Sequence, residues 1–274
     1  MDLENIKSYW DKRSKTFETD LKATTNHPAI KMLEIDALLR TIKRLGLDKK
    51  KGTEILEVGC GNGPNCFALS ELLPNLKFTG LDYSEEMVRN ANRIKKSSTT
   101  RYPKVKFYLG DVLNLGKSKN LKNGYDVIFT DRCLINLNSK DLQLVGINNI
   151  LKKLKRGGYF IMLENSIQNY ARQNEMRKSV GLPERKPAKY NLFIDETVII
   201  PQLKKSAKLL SIDDFGSLHD IILYVLIPSI TKGVVDYNHP LVKTTADLSI
   251  ALSENYNNPF GNFGQNRLFL FRKK

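Results

Sequence analysis

The chain has 274 residues, 41% of them hydrophobic and 27% charged, the proportions of a globular protein with one sizeable core, which excludes wholesale disorder. Forty-four Lys and Arg against 29 Asp and Glu give a formal charge of +15. The lysines fall in short groups, such as Lys49-Lys50-Lys51, "KKLKR" at 152–156 and "LKKSAK" at 203–208, and read as solvated helix ends rather than a tract for nucleic acid. Cys60, Cys66 and Cys133 lack paired CxxC spacing, so neither a disulfide framework nor a zinc site is expected, and a reducing cytoplasm fits. The longest apolar run, "IILYVLIPSI" at 221–230, is about half a membrane span and contains Pro228, and the first residues are acidic and polar; no signal peptide or transmembrane helix is expected.

Residues 1–48 read as a helical lid in front of the main domain, with "PAIKMLEIDALLRTIKRLGL" forming an amphipathic helix that stops at Gly46. Residues 49–274 then alternate β-rich runs with helical stretches, the pattern of a parallel sheet covered on both faces. The expected strands are "EILEVG" (54–59), "KFTGLD" (77–82), "VKFYLGD" (105–111), "YDVIFTD" (125–131) and "GYFIMLE" (158–164). Helices are expected between them, with Ser84 and Ser139 as N-caps and Gly157-Gly158 ending the helix before the fifth strand. Two late strands, "AKLLSIDDF" (207–215) and "NRLFLFRK" (266–273), are separated by mixed sequence. The stretches at about 166–206 and 216–262 are therefore read as insertions that cap the substrate side of the sheet.

The stretch "EILEVGCGNGP" carries the first chemical signal. Gly59, Gly61 and Gly63 follow a strand and precede a helix, so the backbone can turn tightly and approach a ligand while free helix amides face it. The spacing is GxGxG, with Glu57 two residues before it and Pro64 where a dinucleotide fingerprint needs its third glycine. Asp82 ends the second strand about 23 residues after Gly59, where a carboxylate accepts hydrogen bonds from ribose hydroxyls. Asp111 ends the third, placed to accept from an adenine amino group, and Val112 offers a backbone donor and an apolar face.

With these residues in order, the chain resembles the class I S-adenosylmethionine-dependent methyltransferases over roughly residues 50–165. The resemblance is carried by "EVGCGNG", "GLDYSEEMV", "GDVLNL", "YDVIFTDRCLINL" and "LKRGGYFIMLE". It implies an α/β, Rossmann-like fold with a seven-stranded, mostly parallel sheet in the order 3-2-1-4-5-7-6, the last strand antiparallel. It implies S-adenosylmethionine as cofactor and S-adenosylhomocysteine as product. Glu57, Gly59, Gly61 and Gly63 would surround the methionine portion, with Asp82 on the ribose, Tyr83 beside the adenine and Asp111 with Val112 at its edge. Asp131 and Arg132 would face the methionine end and the substrate. The opening "YWDKRSKTFE" resembles the N-terminal lid of many small-molecule methyltransferases, which places Tyr9, Trp10 and Arg13 over the cofactor, Arg13 as a fork for its carboxylate.

A sulfonium methyl is already a strong electrophile, so positioning a nucleophile can suffice, although a hydroxyl acceptor benefits from a general base. Asp131, Glu164 and His219 are the candidates for that base; His27 and His239 are the other histidines. The segment "TDRCLINL" lacks the [DNS]PP[YFW] pattern that amino-methyltransferases of nucleobases share, so exocyclic base methylation is disfavoured and nucleic acid is not the expected partner. The layout also resembles small bacterial methyltransferases of surface glycans and secondary metabolites. That likeness implies O-methylation of a sugar, glycan precursor or related anionic metabolite, phosphorylated or nucleotide-linked acceptors included. The alternatives are an RNA methyltransferase, a nicotinamide-dependent oxidoreductase and a non-catalytic S-adenosylmethionine-binding subunit. No metal is expected, and the sequence says nothing of oligomeric state.

Overall fold

A computed structural model describes residues 1–98, 101–253 and 260–274. The second expected insertion, 216–262, thus lies partly outside the described residues. Two helices open the chain, α1 (Leu3–Phe17) and α2 (Pro28–Arg44). The alternating region follows as β1 (Glu54–Val58), α3 (Pro64–Leu72), β2 (Lys77–Asp82), α4 (Glu85–Ser97), β3 (Val105–Leu109), β4 (Tyr125–Asp131), α5 (Lys140–Lys153) and β5 (Leu154–Asn165). Beyond it lie α6 (Ile167–Ser179), α7 (Glu196–Ser206), β6 (Ala207–Asp213), α8 (Ser217–Ile221), α9 (Ile227–Ile230), α10 (Pro240–Ser253) and β7 (Asn266–Lys273).

The seven strands form one sheet in the order β3-β2-β1-β4-β5-β7-β6. Pairings from β3 through β5 are parallel, and β7 runs antiparallel to both β5 and β6. Alternation along each strand sends its side chains to two cores. Ile55, Val127, Phe129, Ile161 and Leu268 face α2, α3 and α10, whereas Leu56, Ile128, Phe160, Met162 and Phe269 face α5 and α7. Helix α2 belongs to the first core through Leu33, Leu38 and Ile42, all at most 1% exposed, so the preface to the sheet divides into a covering helix, α1, and a core helix.

Local signals account for most boundaries. Ser84 and Ser139 cap α4 and α5 by accepting from the amides of Met87 and Leu142. The expectation for Gly157-Gly158 is corrected: α5 ends at Lys153 and β5 starts at Leu154. Gly157, at φ 74°, sits where the β4–β5 register shifts between Tyr125 and Val127, a bulge that a glycine in the left-handed region accommodates. The apolar run at 221–230 becomes a π-helical segment, Ile222–Leu226, leading into α9 with Pro228 in its first turn. No helix among the described residues is long and apolar enough to cross a membrane.

Candidate functional site

A cavity of about 300 Å³ opens beyond the carboxyl ends of β1, β2, β4 and β5, roofed by α1 and by the segments after β5 and β6, where open α/β sheets place ligands. Its floor begins at the glycine turn. Gly59 and Gly61 line the cavity with φ of 80° and 54°. A Cβ on Gly61 would collide with Thr24 Cγ2, and one on Gly59 would lie 2.5 Å from Cys133 Sγ, so two neighbouring loops close on this backbone. Gly63 supports the turn from outside the lining, its place for a Cβ taken by Phe107 and Phe67.

Asp82 closes the turn. Its Oδ2 accepts from Gly61 N at 2.8 Å and its Oδ1 from Ser84 N at 2.9 Å. Burial pushes its carboxyl up to about 6, against the lowering effect of those amides. Glu57 is equally buried and accepts from Asn65 Nδ2 at 2.8 Å and from Cys66 Sγ at 3.0 Å. Burial drives it to about 8, so it is protonated at neutral pH.

Asn65 joins Glu57 to a buried ionic group. Its Nδ2 also donates to Asp131 Oδ2 at 2.9 Å. Lys31, from the first turn of α2, lies 2.5 Å from Asp131 Oδ2 and 2.6 Å from Glu34 Oε2, and Arg132 Nε lies 2.8 Å from Glu34 Oε1. Burial alone would raise the Asp131 carboxyl, but Lys31 and Arg132 outweigh it and hold it at about 2. Arg132 takes φ 52° at the end of β4, a left-handed turn that aims its guanidinium back at α2. The group balances two cations with two anions, so Asp131 is a fixed negative charge.

Rings wall the far side. Tyr9 stacks on Tyr190 with centroids 4.3 Å apart, Trp10 meets both edge-on, and Trp10 Nε1 donates to Asn136 Oδ1 at 3.0 Å. Tyr170, Phe193, Tyr224 and Tyr237 complete the wall, and His27 stacks on Tyr237 at 3.6 Å. Burial, followed by the charge of Arg132, lowers the His27 imidazole to about 4, so it is neutral at pH 7.

Several polar atoms around this one cavity are buried without a hydrogen-bond partner among the described residues: Arg13 Nε, His27 Nδ1, Tyr83 Oη, Asn165 Oδ1 and Asn266 Oδ1. Buried polar groups are normally paired, and orphans gathered at one cavity indicate a polar ligand that completes them.

The structure brings Tyr9, Trp10, Arg13, Glu57, Gly59, Gly61, Asp82, Tyr83 and Asp131 together at the cavity. Besides Gly63, four others stand outside the lining. Asp111 caps the turn after β3, accepting from Leu113 N at 2.8 Å, and Val112 is buried in the core beside α5. Glu164 accepts from the amides of Cys133, Leu134 and Ile135 at 2.9–3.2 Å, so its carboxylate fastens the loop after β4 and does not face an acceptor. His219 is 1% exposed with Nδ1 3.0 Å from Asp220 Oδ1, inside the cap. Lys31, Asn65 and the tyrosine wall also line the cavity and were not anticipated, while His27 was named only among the other histidines and Arg185 only as one of many cations in its insertion. A histidine before Pro28 at a helix start was the visible signal for His27; the others carry no local pattern.

Residues 49–210 match a family profile described as a methyltransferase domain. Demethylmenaquinone methyltransferases of Staphylococcus aureus, strains JH9 and Newman among them, are 32% identical over 128 residues, 46% of this chain and 48% of theirs. The chain thus spans about half the length of these curated relatives. Among solved structures, magnesium protoporphyrin IX methyltransferase from Synechocystis PCC 6803 with bound S-adenosylhomocysteine superposes with a TM-score of 0.61 at 13% identity over all of both chains. The N-methyltransferase NodS from Bradyrhizobium japonicum WM9 with the same ligand gives 0.55 at 14% identity over 98% of each. At such identities the likeness is one of fold.

Proposed function

The chain belongs to the methyltransferase-domain family as a class I enzyme whose cofactor is S-adenosylmethionine, and from that premise we propose that it methylates an oxygen of a small, ring-bearing, anionic acceptor. A sugar, a glycan precursor or a related metabolite fits that description. The observation that carries the reading is the set of unpartnered buried polar atoms around a cavity that is glycine-lined on one side and ring-walled on the other.

The donor side would use Gly59 and Gly61 for close approach of the backbone, Asp82 for the ribose hydroxyls, Tyr83 beside the base and Arg13 for the carboxylate. Bound there, S-adenosylmethionine would supply a sulfonium methyl to an acceptor oxygen, the C–O bond forming as the C–S bond breaks and the neutral thioether leaves. Tyr9 and Trp10 on α1 exclude water from above, and their contacts with Tyr190 and Asn136 tie that roof to the acceptor side. Asp131, ionised and neutralised by Lys31, is not the group that takes a proton. His27 is the better acceptor for the hydroxyl proton. Its imidazole is neutral, and a hydroxyl becomes strongly acidic as its oxygen gains the methyl, so even a weak base removes the proton. The ring-walled pocket suits a small molecule better than an RNA strand, which needs a long basic groove. Helix α1 and the described parts of the two insertions in 49–274 serve, in this reading, as cover for one site.

The test is transfer of labelled methyl from S-adenosylmethionine to uronic acids, sugar phosphates, hydroxybenzoates and total RNA in parallel. Label in a ring-bearing anion is the expected result; label in RNA alone would overturn the reading.

A further inference from the structure

We infer that Arg185 is the anchor for an acceptor's carboxylate and so selects acid-bearing rings over neutral ones. The inference rests on the methyltransferase reading above and adds the group that the acceptor must carry.

Arg185 lies in the loop between α6 and α7 and lines the ring-walled side of the cavity. Its backbone is pinned at both polar atoms: Arg185 N donates to Asn174 Oδ1 at 3.0 Å, and Asn174 Nδ2 donates to Arg185 O at 3.0 Å. Arg177 holds the same loop, its Nε donating to Pro183 O at 2.9 Å and its Nη1 bonding to Tyr224 O. The side chain is fixed as firmly. The guanidinium carbon sits 3.4 Å from the centroid of Tyr224 and 5.2 Å from that of Tyr170, a cation–π seat on two rings. Nη1 donates to Gln173 Oε1 at 3.0 Å and Gln265 Oε1 at 3.3 Å.

These partners orient the cation without neutralising it. Both hydrogen-bond acceptors on its edge are amide oxygens, and no carboxylate among the described residues forms an ion pair with it. The nearest acid in the network, Asp220, is one amide removed: it accepts from Gln173 Nε2 at 2.9 Å and from Gln265 N at 2.7 Å, turning the Gln173 oxygen toward Arg185. The cations beside α2 differ in this, since Lys31 and Arg132 are met by Asp131 and Glu34. A half-buried guanidinium held rigid, with its charge uncompensated and its fork free at Nε and Nη2, is pre-organised for a planar anion. The tyrosines beneath it offer flat faces to the ring that carries the anion.

The experiment titrates benzoate, D-glucuronate and inorganic phosphate into the full chain, alone and saturated with S-adenosylhomocysteine. The expected result is saturable binding of benzoate or glucuronate, weakened about tenfold or more in Arg185→Gln and partly regained in Arg185→Lys, which keeps the charge but loses the fork. S-adenosylhomocysteine affinity and the circular dichroism spectrum should be retained in both variants, separating a lost anchor from a lost fold. Equal carboxylate affinity in wild type and Arg185→Gln, binding of phosphate alone, or no saturation by any probe would overturn the inference. Absence of S-adenosylhomocysteine binding to wild type, with carboxylate binding intact, would instead strike the donor site.

Discussion

The two sides of the cavity, proposed above for donor and acceptor, use opposite means. On the donor side the chain brings backbone close, through Gly59 and Gly61, and the acids there are held by amides, by Asn65 or by Lys31. On the acceptor side it brings side chains, the rings of Tyr9, Tyr170, Tyr190 and Tyr224 and the unpaired Arg185, gathered from α1, α6, the α6–α7 loop and the π-helical segment. A backbone cradle admits one ligand shape and resists substitution, whereas a wall of side chains can be altered one residue at a time. Specificity for the acceptor should therefore be far easier to change than affinity for the donor. The ionic group of Lys31, Glu34, Asp131 and Arg132 stands at the seam between the two.

Breaking that seam should have the largest effect. Lys31→Met leaves Asp131 and Glu34 buried with one cation between them, and loss of one partner from a buried pair costs about 3–5 kcal/mol. Chemical denaturation should show it, with part recovered in the double variant Lys31→Met, Asp131→Asn; a loss below about 1 kcal/mol would mean that water already screens the group. On the acceptor side, His27→Asn should lower kcat by about a hundredfold with S-adenosylhomocysteine affinity unchanged. An unaltered kcat would remove His27 from the chemistry.

The smallest effect is one of pH. Asp82, near 6 in the free protein, must be ionised to accept from ribose hydroxyls, so affinity for S-adenosylhomocysteine should be flat above that value. Below it, affinity should fall by up to about tenfold per pH unit. The same shift acts on stability with a definite sign. A folded-state value above the ordinary 3.8 means the folded protein holds more protons between about pH 4 and 6, and ligand-free stability declines as pH rises through that window. Glu57, near 8, and Glu164, near 7, extend the decline upward. Affinity independent of pH between 5 and 7 would remove Asp82 from the ribose.

The contrast between the two sides also explains what could be read in advance. The strands "KFTGLD", "YDVIFTD" and "NRLFLFRK" stand where alternation put them, and Glu57, Gly59, Gly61 and Asp82 meet because short βα units bring strand ends together. The start of β5 was misplaced because "KKLKRGG" continues a helical period with no stop signal before the glycines, while pairing with Tyr125 claims Leu154 for the sheet. Glu164 and His219 were reasonable by residue type and position, but backbone amides and Asp220 occupy them. Arg185 could not be told from the other cations of its insertion, since Tyr170, Arg185, Tyr224 and Gln265 lie far apart in sequence and only the folded cap makes them neighbours.

The most direct test of the account is calorimetric titration of wild type and Asp82→Ala with S-adenosylhomocysteine, with NAD as the control ligand. The account predicts saturable binding to wild type, no response to NAD, and a loss of about 2 kcal/mol, roughly thirtyfold, in the variant, with its circular dichroism spectrum retained. Equal affinity in the two proteins would contradict it.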